Sequence, residues 1–217
     1  TGATGAKSQV FVRDRKTKTT ELVSVSSTEV VGNGNSPVDF DVRLDISDDG
    51  RYAAFGSLAS NLGPDADTVA DIFVRDRQAG TTSLVSVSTG GASTTAASLH
   101  PTMSANGRYI AFDSYDTNLV AGDTNAAIDV FVRDRQTTTT TRVSLYDNDT
   151  QAPKGGSMPS MDDSGTKIAF TASDKLNAID PNSTSDVFVR DTVAGATTVG
   201  SVAANGWAAG ESSDAAI

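Results

Sequence analysis

The sequence predicts an all-β chain of repeated four-stranded antiparallel sheets, and three observations carry that expectation. A five-residue core recurs four times, as Val10-Phe11-Val12-Arg13-Asp14, Ile72-Phe73-Val74-Arg75-Asp76, Val130-Phe131-Val132-Arg133-Asp134 and Val187-Phe188-Val189-Arg190-Asp191. Its phenylalanines, Phe11, Phe73, Phe131 and Phe188, stand 62, 58 and 57 residues apart, too regular a period to arise by chance. No stretch shows sustained helical periodicity, while short apolar runs bounded by turn residues fill each period.

Each period reads as four strands, A to D. Strand A is the weakest signal and ends in Leu44-Asp45-Ile46, Pro101-Thr102-Met103 or Pro159-Ser160-Met161. A turn follows at Asp49-Gly50, Asn106-Gly107 and Ser164-Gly165, and Asn-Gly or Asp-Gly between apolar runs is a strong hairpin cue. Strand B is Tyr52-Ala53-Ala54-Phe55, Tyr109-Ile110-Ala111-Phe112 or Lys167-Ile168-Ala169-Phe170, apolar enough to be buried on both faces. Strand C is the recurring core, whose alternation puts Phe and Arg on one face and the valines on the other. An unpaired Arg is rarely buried, so Arg13, Arg75, Arg133 and Arg190 are expected to be partly exposed or paired with a carboxylate. Strand D is expected at Leu22-Val23-Ser24-Val25, Leu84-Val85-Ser86-Val87, Arg142-Val143-Ser144-Leu145 and Thr198-Val199-Gly200-Ser201-Val202. The threonines 137–141 read as a turn and strand entry, or as glycan acceptors in an extracellular setting.

Four short antiparallel strands per repeat of this length is the pattern of a β-propeller blade. The expected fold is an all-β propeller of four-stranded antiparallel blades, three of them full and a fourth partial. A single array is anticipated, with a partial blade over 1–35, blades over 36–92, 93–150 and 151–206, and a terminal strand over 207–217.

The run Ser104-Ala105-Asn106-Gly107-Arg108-Tyr109-Ile110-Ala111-Phe112, continued by Asp123-Thr124-Asn125 and Asp129-Val130-Phe131-Val132-Arg133-Asp134, resembles the TolB-like β-propeller repeat of bacterial cell-envelope and secreted proteins. The resemblance covers nearly the whole chain. It implies a propeller and an extracellular or periplasmic setting, but such blades serve binding proteins, assembly platforms and non-catalytic domains of enzymes alike.

Composition narrows the function. Asp and Glu number 27 against 17 Lys and Arg, a net charge of −10 over 217 residues, which argues against a nucleic acid partner. Cysteine is absent, excluding disulfides, a thiol nucleophile and Cys-ligated metals. No run approaches the roughly 18 apolar residues of a membrane span.

Aligned on strand C, the fourth repeat has no counterpart of residues 47–62, so one A–B turn and one strand B are missing. Two explanations are open. The chain is a piece of a longer array, the simpler account, or a partner completes the ring. In the second case the exposed edge beside strand C would recruit another chain and give a homodimer or a filament.

The loops between strands B and C hold the best-defined constellation. Asp65, Asp67 and Asp71 in the first, Asp123, Asn125 and Asp129 in the second, and Asp180, Asn182 and Asp186 in the third occupy positions 1, 3 and 7. Oxygen ligands at such spacing suit a hard cation, so Ca²⁺ is the cofactor they would take. The competing reading is that Asp and Asn cap their own turns and need no metal. The N-terminal copy carries Ala3, Gly5 and Gln9 at these positions and should bind nothing.

No catalytic residue is assigned. His100 is the sole histidine, no Gly-x-Ser-x-Gly elbow surrounds a serine, and His100 aligns with Arg43 and Met158, so it reads as a bystander. Trp207, the sole tryptophan, reads as a packing residue, with stacking on a sugar or peptide as the alternative. The expected function is a non-enzymatic binding or scaffold module of a secreted or envelope protein, stabilised by Ca²⁺ if the loops bind it, with a protein or glycan ligand. The alternatives are a platform domain of a larger hydrolase or lyase, and a self-assembling half-ring.

Overall fold

Strands B and C pair in each repeat because both are rich in apolar residues, strand C in β-branched ones as well, and both can be covered on two faces. The computed structural model describes residues 7–37, 43–64, 67–178, 184–203 and 206–207. β1 (Phe11–Arg13) and β2 (Thr20–Leu22) make the partial blade. Blade I is β3 (Leu44–Ile46), β4 (Tyr52–Ser57), β5 (Asp71–Asp76) and β6 (Thr81–Leu84). Blade II is β7 (Ser98–Met103), β8 (Tyr109–Ser114), β9 (Asp129–Asp134) and β10 (Thr139–Arg142). Blade III is β11 (Ser157–Met161), β12 (Lys167–Ala172), β13 (Asp186–Asp191) and β14 (Ala196–Val199). A short hairpin, β15 (Val202–Ala203) and β16 (Gly206–Trp207), follows. There is no helix among the described residues. The fold is thus a propeller of antiparallel four-stranded meanders, as the repeat implied.

The A–B turns are where predicted, with Gly50, Gly107 and Gly165 at φ of 70°, 67° and 74°. Gly107 is demanded twice over, since a Cβ there would stand 2.4 Å from Cδ2 of Tyr52 on the preceding blade. Backbone bonds also join successive A–B turns, from Asp48 N to Ala105 O at 2.9 Å and from Ala105 N to Asp163 O at 2.9 Å.

The core lies between blades rather than within them. Ala54, Ile72 and Val74 of blade I pack against Met103, Ile110, Phe112 and Phe131 of blade II. Ala111, Val130 and Val132 of blade II pack in turn against Met161, Ile168, Phe170 and Phe188 of blade III. The phenylalanines of strand C stand directly across from those of strand B, as Phe55↔Phe73, Phe112↔Phe131 and Phe170↔Phe188.

Strand D corrects the sequence reading. The residues expected to open it close it instead: β6 ends at Leu84 and β10 at Arg142, and the ladder runs through the Thr-rich segments upstream. Those β-branched residues suit an outer strand. Beyond the strand, Val85 N still bonds Ile72 O at 2.8 Å, after which the chain turns and Val87 bridges Ser93. Threonines 137 and 138 form a turn and 139–141 enter β10, as expected. Of the terminal strand expected over 207–217, residues 208–217 lie outside the described residues.

A second correction concerns the strand C arginines. Arg75 and Arg190 are buried and paired with Glu29 and Asp149, and Arg13 is exposed, all as expected. Arg133 is buried with no carboxylate partner among the described residues. The loop position that Glu29 and Asp149 hold at the other two interfaces is here a glycine, Gly91.

Candidate functional site: the loops between strands B and C

The seventh position of each loop opens strand C and is buried: Asp71, Asp129 and Asp186 are 0%, 0% and 3% exposed. Each carboxylate accepts a hydrogen bond from a serine just past strand D. Ser86 Oγ donates to Asp71 Oδ1 at 2.5 Å, Ser144 Oγ to Asp129 Oδ1, and Ser201 Oγ to Asp186 Oδ1 at 2.7 Å. The same hydroxyls accept from the amides of Ile72, Val130 and Val187, each at 3.1 Å. The partial blade repeats this clamp without an acid: Ser24 Oγ donates to Gln9 Oε1 at 2.6 Å and accepts from Val10 N at 3.0 Å. Position 7 therefore ties strand C to the end of strand D.

The third position caps its own loop. Asp67 Oδ1 accepts from Val69 N at 2.8 Å, and Asn125 Oδ1 from Ala127 N at 3.1 Å. Asn125 Nδ2 also donates to Asp129 Oδ2 at 2.9 Å and to Ala152 O at 2.8 Å. Of the predicted residues, Asp65, Asp180 and Asn182 lie outside the described residues.

Only the blade II loop is described in full, and there the three predicted residues do come together. Asp123 Oδ1 accepts from Gln151 Nε2 at 2.8 Å. Nη1 of Arg142 lies 3.3 Å from Asp123 Oδ1 and 3.8 Å from Asp129 Oδ2, close enough for ion pairing but without hydrogen-bond geometry. The chain thus supplies its own cation between these carboxylates. Burial raises the Asp129 pKa, against the opposing hydrogen bonds from Ser144 and Asn125 and the charge of Arg142. In the other blades the residue across from the strand C phenylalanine is Leu84 or Val199 instead of Arg142. No group of three or more His, Cys, Asp or Glu placed to hold a metal occurs among the described residues.

His100, given no role from sequence, is buried with its Nδ1 2.7 Å from Asp113 Oδ2, which also accepts from Met158 N at 2.9 Å. It sits at a bulge in strand A with φ of 54°, a conformation shared by Met158 at 56°. The pair therefore joins strand A of blade II to strand B and to blade III. Trp207 is paired with Val202 in the terminal hairpin.

Sequence reading missed the serine clamp, although a signal was present. Ser24, Ser86, Ser144 and Ser201 each lie 15 residues after their partners Gln9, Asp71, Asp129 and Asp186, while the longer repeat period varies. Arg142 carried a weaker signal, a lone charge in a column of apolar residues.

No protein-family model matches the chain, and no curated protein matches it. Solved structures do. The chain matches TolB from Acinetobacter baumannii with a TM-score of 0.50 at 15% identity, over 88% of this chain and 37% of that one. A protein ascribed to TolB from Agrobacterium tumefaciens matches with a TM-score of 0.54 at 16% identity, over 91% and 57%. A prolyl endopeptidase matches with a TM-score of 0.52 at 11% identity, over 88% and 25%. At such identities the likeness is one of fold, and the fold is that of a TolB-like β-propeller. The chain spans 37% and 57% of the two TolB chains.

Proposed function

We propose that this chain is a non-enzymatic propeller module that binds a polypeptide by accepting an added strand beside β1. One comparison between equivalent positions carries the reading. Ile46, Met103 and Met161 hold the same place in strand A, yet Ile46 is 43% exposed and the two methionines 6% each. Phe11 is 58% exposed where Phe73, Phe131 and Phe188 are 0%. Both exposed residues line one groove of about 310 Å³, walled by Val10, Val12, Leu44 and Ala53. In the full blades strand B fills the space beside strand C; among the described residues β1 pairs only with β2. An open edge flanked by apolar side chains is the geometry that strand addition uses.

The non-enzymatic part is supported by how the titratable groups are spent. His100 is engaged by Asp113 in the interior, and the described loop carboxylates are held by internal bonds. Ca²⁺ remains part of the proposal for the loops of blades I and III, where no arginine stands opposite the strand C phenylalanine. A secreted or envelope setting agrees with the TolB-like fold. No helix among the described residues is long and apolar enough to cross a membrane.

A synthetic peptide spanning residues 107–114, which carries a strand B, tests the reading by fluorescence anisotropy. Saturable binding that is lost in Phe11→Asp and kept in Lys154→Glu supports it. Absence of binding by a chain that light scattering finds monomeric overturns it. A dimer abolished by Phe11→Asp would make a second copy the strand donor.

A further inference from the structure

Arg75, Arg133 and Arg190 occupy one place on strand C of successive blades, and each reaches the loop that follows strand D of the preceding blade. Nη1 is used alike in all three. That of Arg75 donates to Ser26 O at 3.2 Å and Thr82 Oγ1 at 3.3 Å. That of Arg133 donates to Ser88 O at 3.2 Å and Thr140 Oγ1 at 3.0 Å. That of Arg190 donates to Tyr146 O at 3.2 Å and Thr197 Oγ1 at 3.0 Å.

Nη2 separates them. In Arg75 it pairs with Glu29 and in Arg190 with Asp149. Glu29 and Asp149 are the left-handed residues of their loops, at φ of 62° and 63°. Their amides bond Ser26 O and Tyr146 O, and in the loop facing Arg133 the amide that bonds Ser88 O belongs to Gly91. Gly91 takes the same left-handed turn, at φ of 85°, with nothing within 4 Å of where a Cβ would stand. The chain therefore builds the arginine arm of this bridge three times and the carboxylate arm twice. Arg133 is 8% exposed, and burial pushes its pKa downward against the opposing charge of the neighbouring Asp134.

We propose that the interface between blades I and II is a binding site for a carboxylate, which takes the place that Glu29 and Asp149 fill at the sister interfaces and pairs with Nη2 of Arg133. A guanidinium presents its donors in a planar fork that matches a carboxylate. At the sister interfaces the carboxylate is carried by a side chain of either Glu or Asp length and stays largely exposed, so the place is open to a carboxylate arriving from solvent. The ligand is a small organic carboxylate or the acidic side chain of a polypeptide.

The test uses sodium acetate and N-acetylglutamate amide, each against sodium chloride at equal ionic strength, with the arginine Nε–Hε resonances followed by NMR. The expected result is a saturable shift at Arg133 and none at Arg75 or Arg190. Response to both probes identifies a free carboxylate as sufficient, and response to the glutamate probe alone identifies a polypeptide side chain. The Gly91→Glu variant should lose the response because it supplies the carboxylate in cis, and it should melt above Gly91→Ala, which carries the same backbone strain. A shift matched by chloride, a response that persists in Gly91→Glu, or equal melting of the two variants would overturn the proposal.

Discussion

Phe112 and Phe131 face each other across β8 and β9 with ring centroids 6.0 Å apart, and Phe55 with Phe73 and Phe170 with Phe188 repeat the pair at 6.2 and 6.3 Å. Phe11, the strand C residue of the partial blade, has no such cross-strand ring among the described residues. Replacing Phe131 by Ala is expected to cost about 3–5 kcal/mol in urea denaturation, since it deletes a fully buried ring from an inter-blade core. Phe11→Ala should change stability by under about 0.5 kcal/mol. Equal losses at the two positions would show that the Phe11 face is covered in solution.

The serine clamp should be measurable at blade II. Ser144→Ala removes a donor from the buried Asp129 carboxylate and an acceptor from Val130 N, at a cost of about 1–3 kcal/mol. Because the Ser144 bond opposes the upward shift that burial causes, its loss raises the Asp129 pKa further. A carboxyl with a raised folded pKa binds protons more tightly in the native state, so stability declines as pH rises from the unfolded value through the folded one. The variant is therefore expected to lose less against the parent at about pH 4 than at neutral pH, by paired denaturation curves.

Arg142 is the cation of the blade II loop, and Arg142→Leu installs the residue that blade I carries there. Removing one partner of a buried charge set costs about 3–5 kcal/mol. The uncovered Asp123 and Asp129 should then respond to a divalent cation. In calorimetry, millimolar CaCl2 is expected to raise the Tm of Arg142→Leu more than that of the parent by mass action. A parent that responds as strongly would place its Ca²⁺ in a loop other than that of blade II.

Acid sensitivity should come partly from the ends of strand C. Arg51 bonds Asp76 through two nitrogens, at 3.0 and 2.7 Å, and lowers the Asp76 pKa from 3.8 to about 2. Arg108 holds Asp134 below the usual carboxylate range in the same way. A depressed folded pKa contributes stability that is present above the unfolded value and lost as pH falls toward the folded one. For Asp76 that window runs from 3.8 down to about 2. Asp76→Asn should flatten the stability profile there, as followed by circular dichroism across an acid titration.

The propeller was legible because a blade is specified locally. Turn glycines at Gly50 and Gly107, period-2 alternation in strand C and the Ala-Phe pair within strand B all act through neighbours within one hairpin or one sheet. The end of strand D was misjudged for the same reason. Apolar Val85 and Val87 look like strand, but the chain turns there, with Val87 N bonding Val85 O at 2.7 Å, while Ser86 binds Asp71 and Ile72 on the neighbouring strand. Sequence pattern alone therefore determined the fold class and the places of strands B and C, whereas their pairing register was read from the structure. What the loop acids do was decided by the tertiary structure: whether Asp129 meets a metal, a serine or Arg142 depends on residues brought beside it by sheet pairing. The contrast between Arg133 and its sisters was decided there too, because Glu29, Gly91 and Asp149 matter only once one blade packs on the next. Short-range turn and strand preferences are written in adjacent residues, whereas charge compensation is a property of distances the chain acquires only on folding.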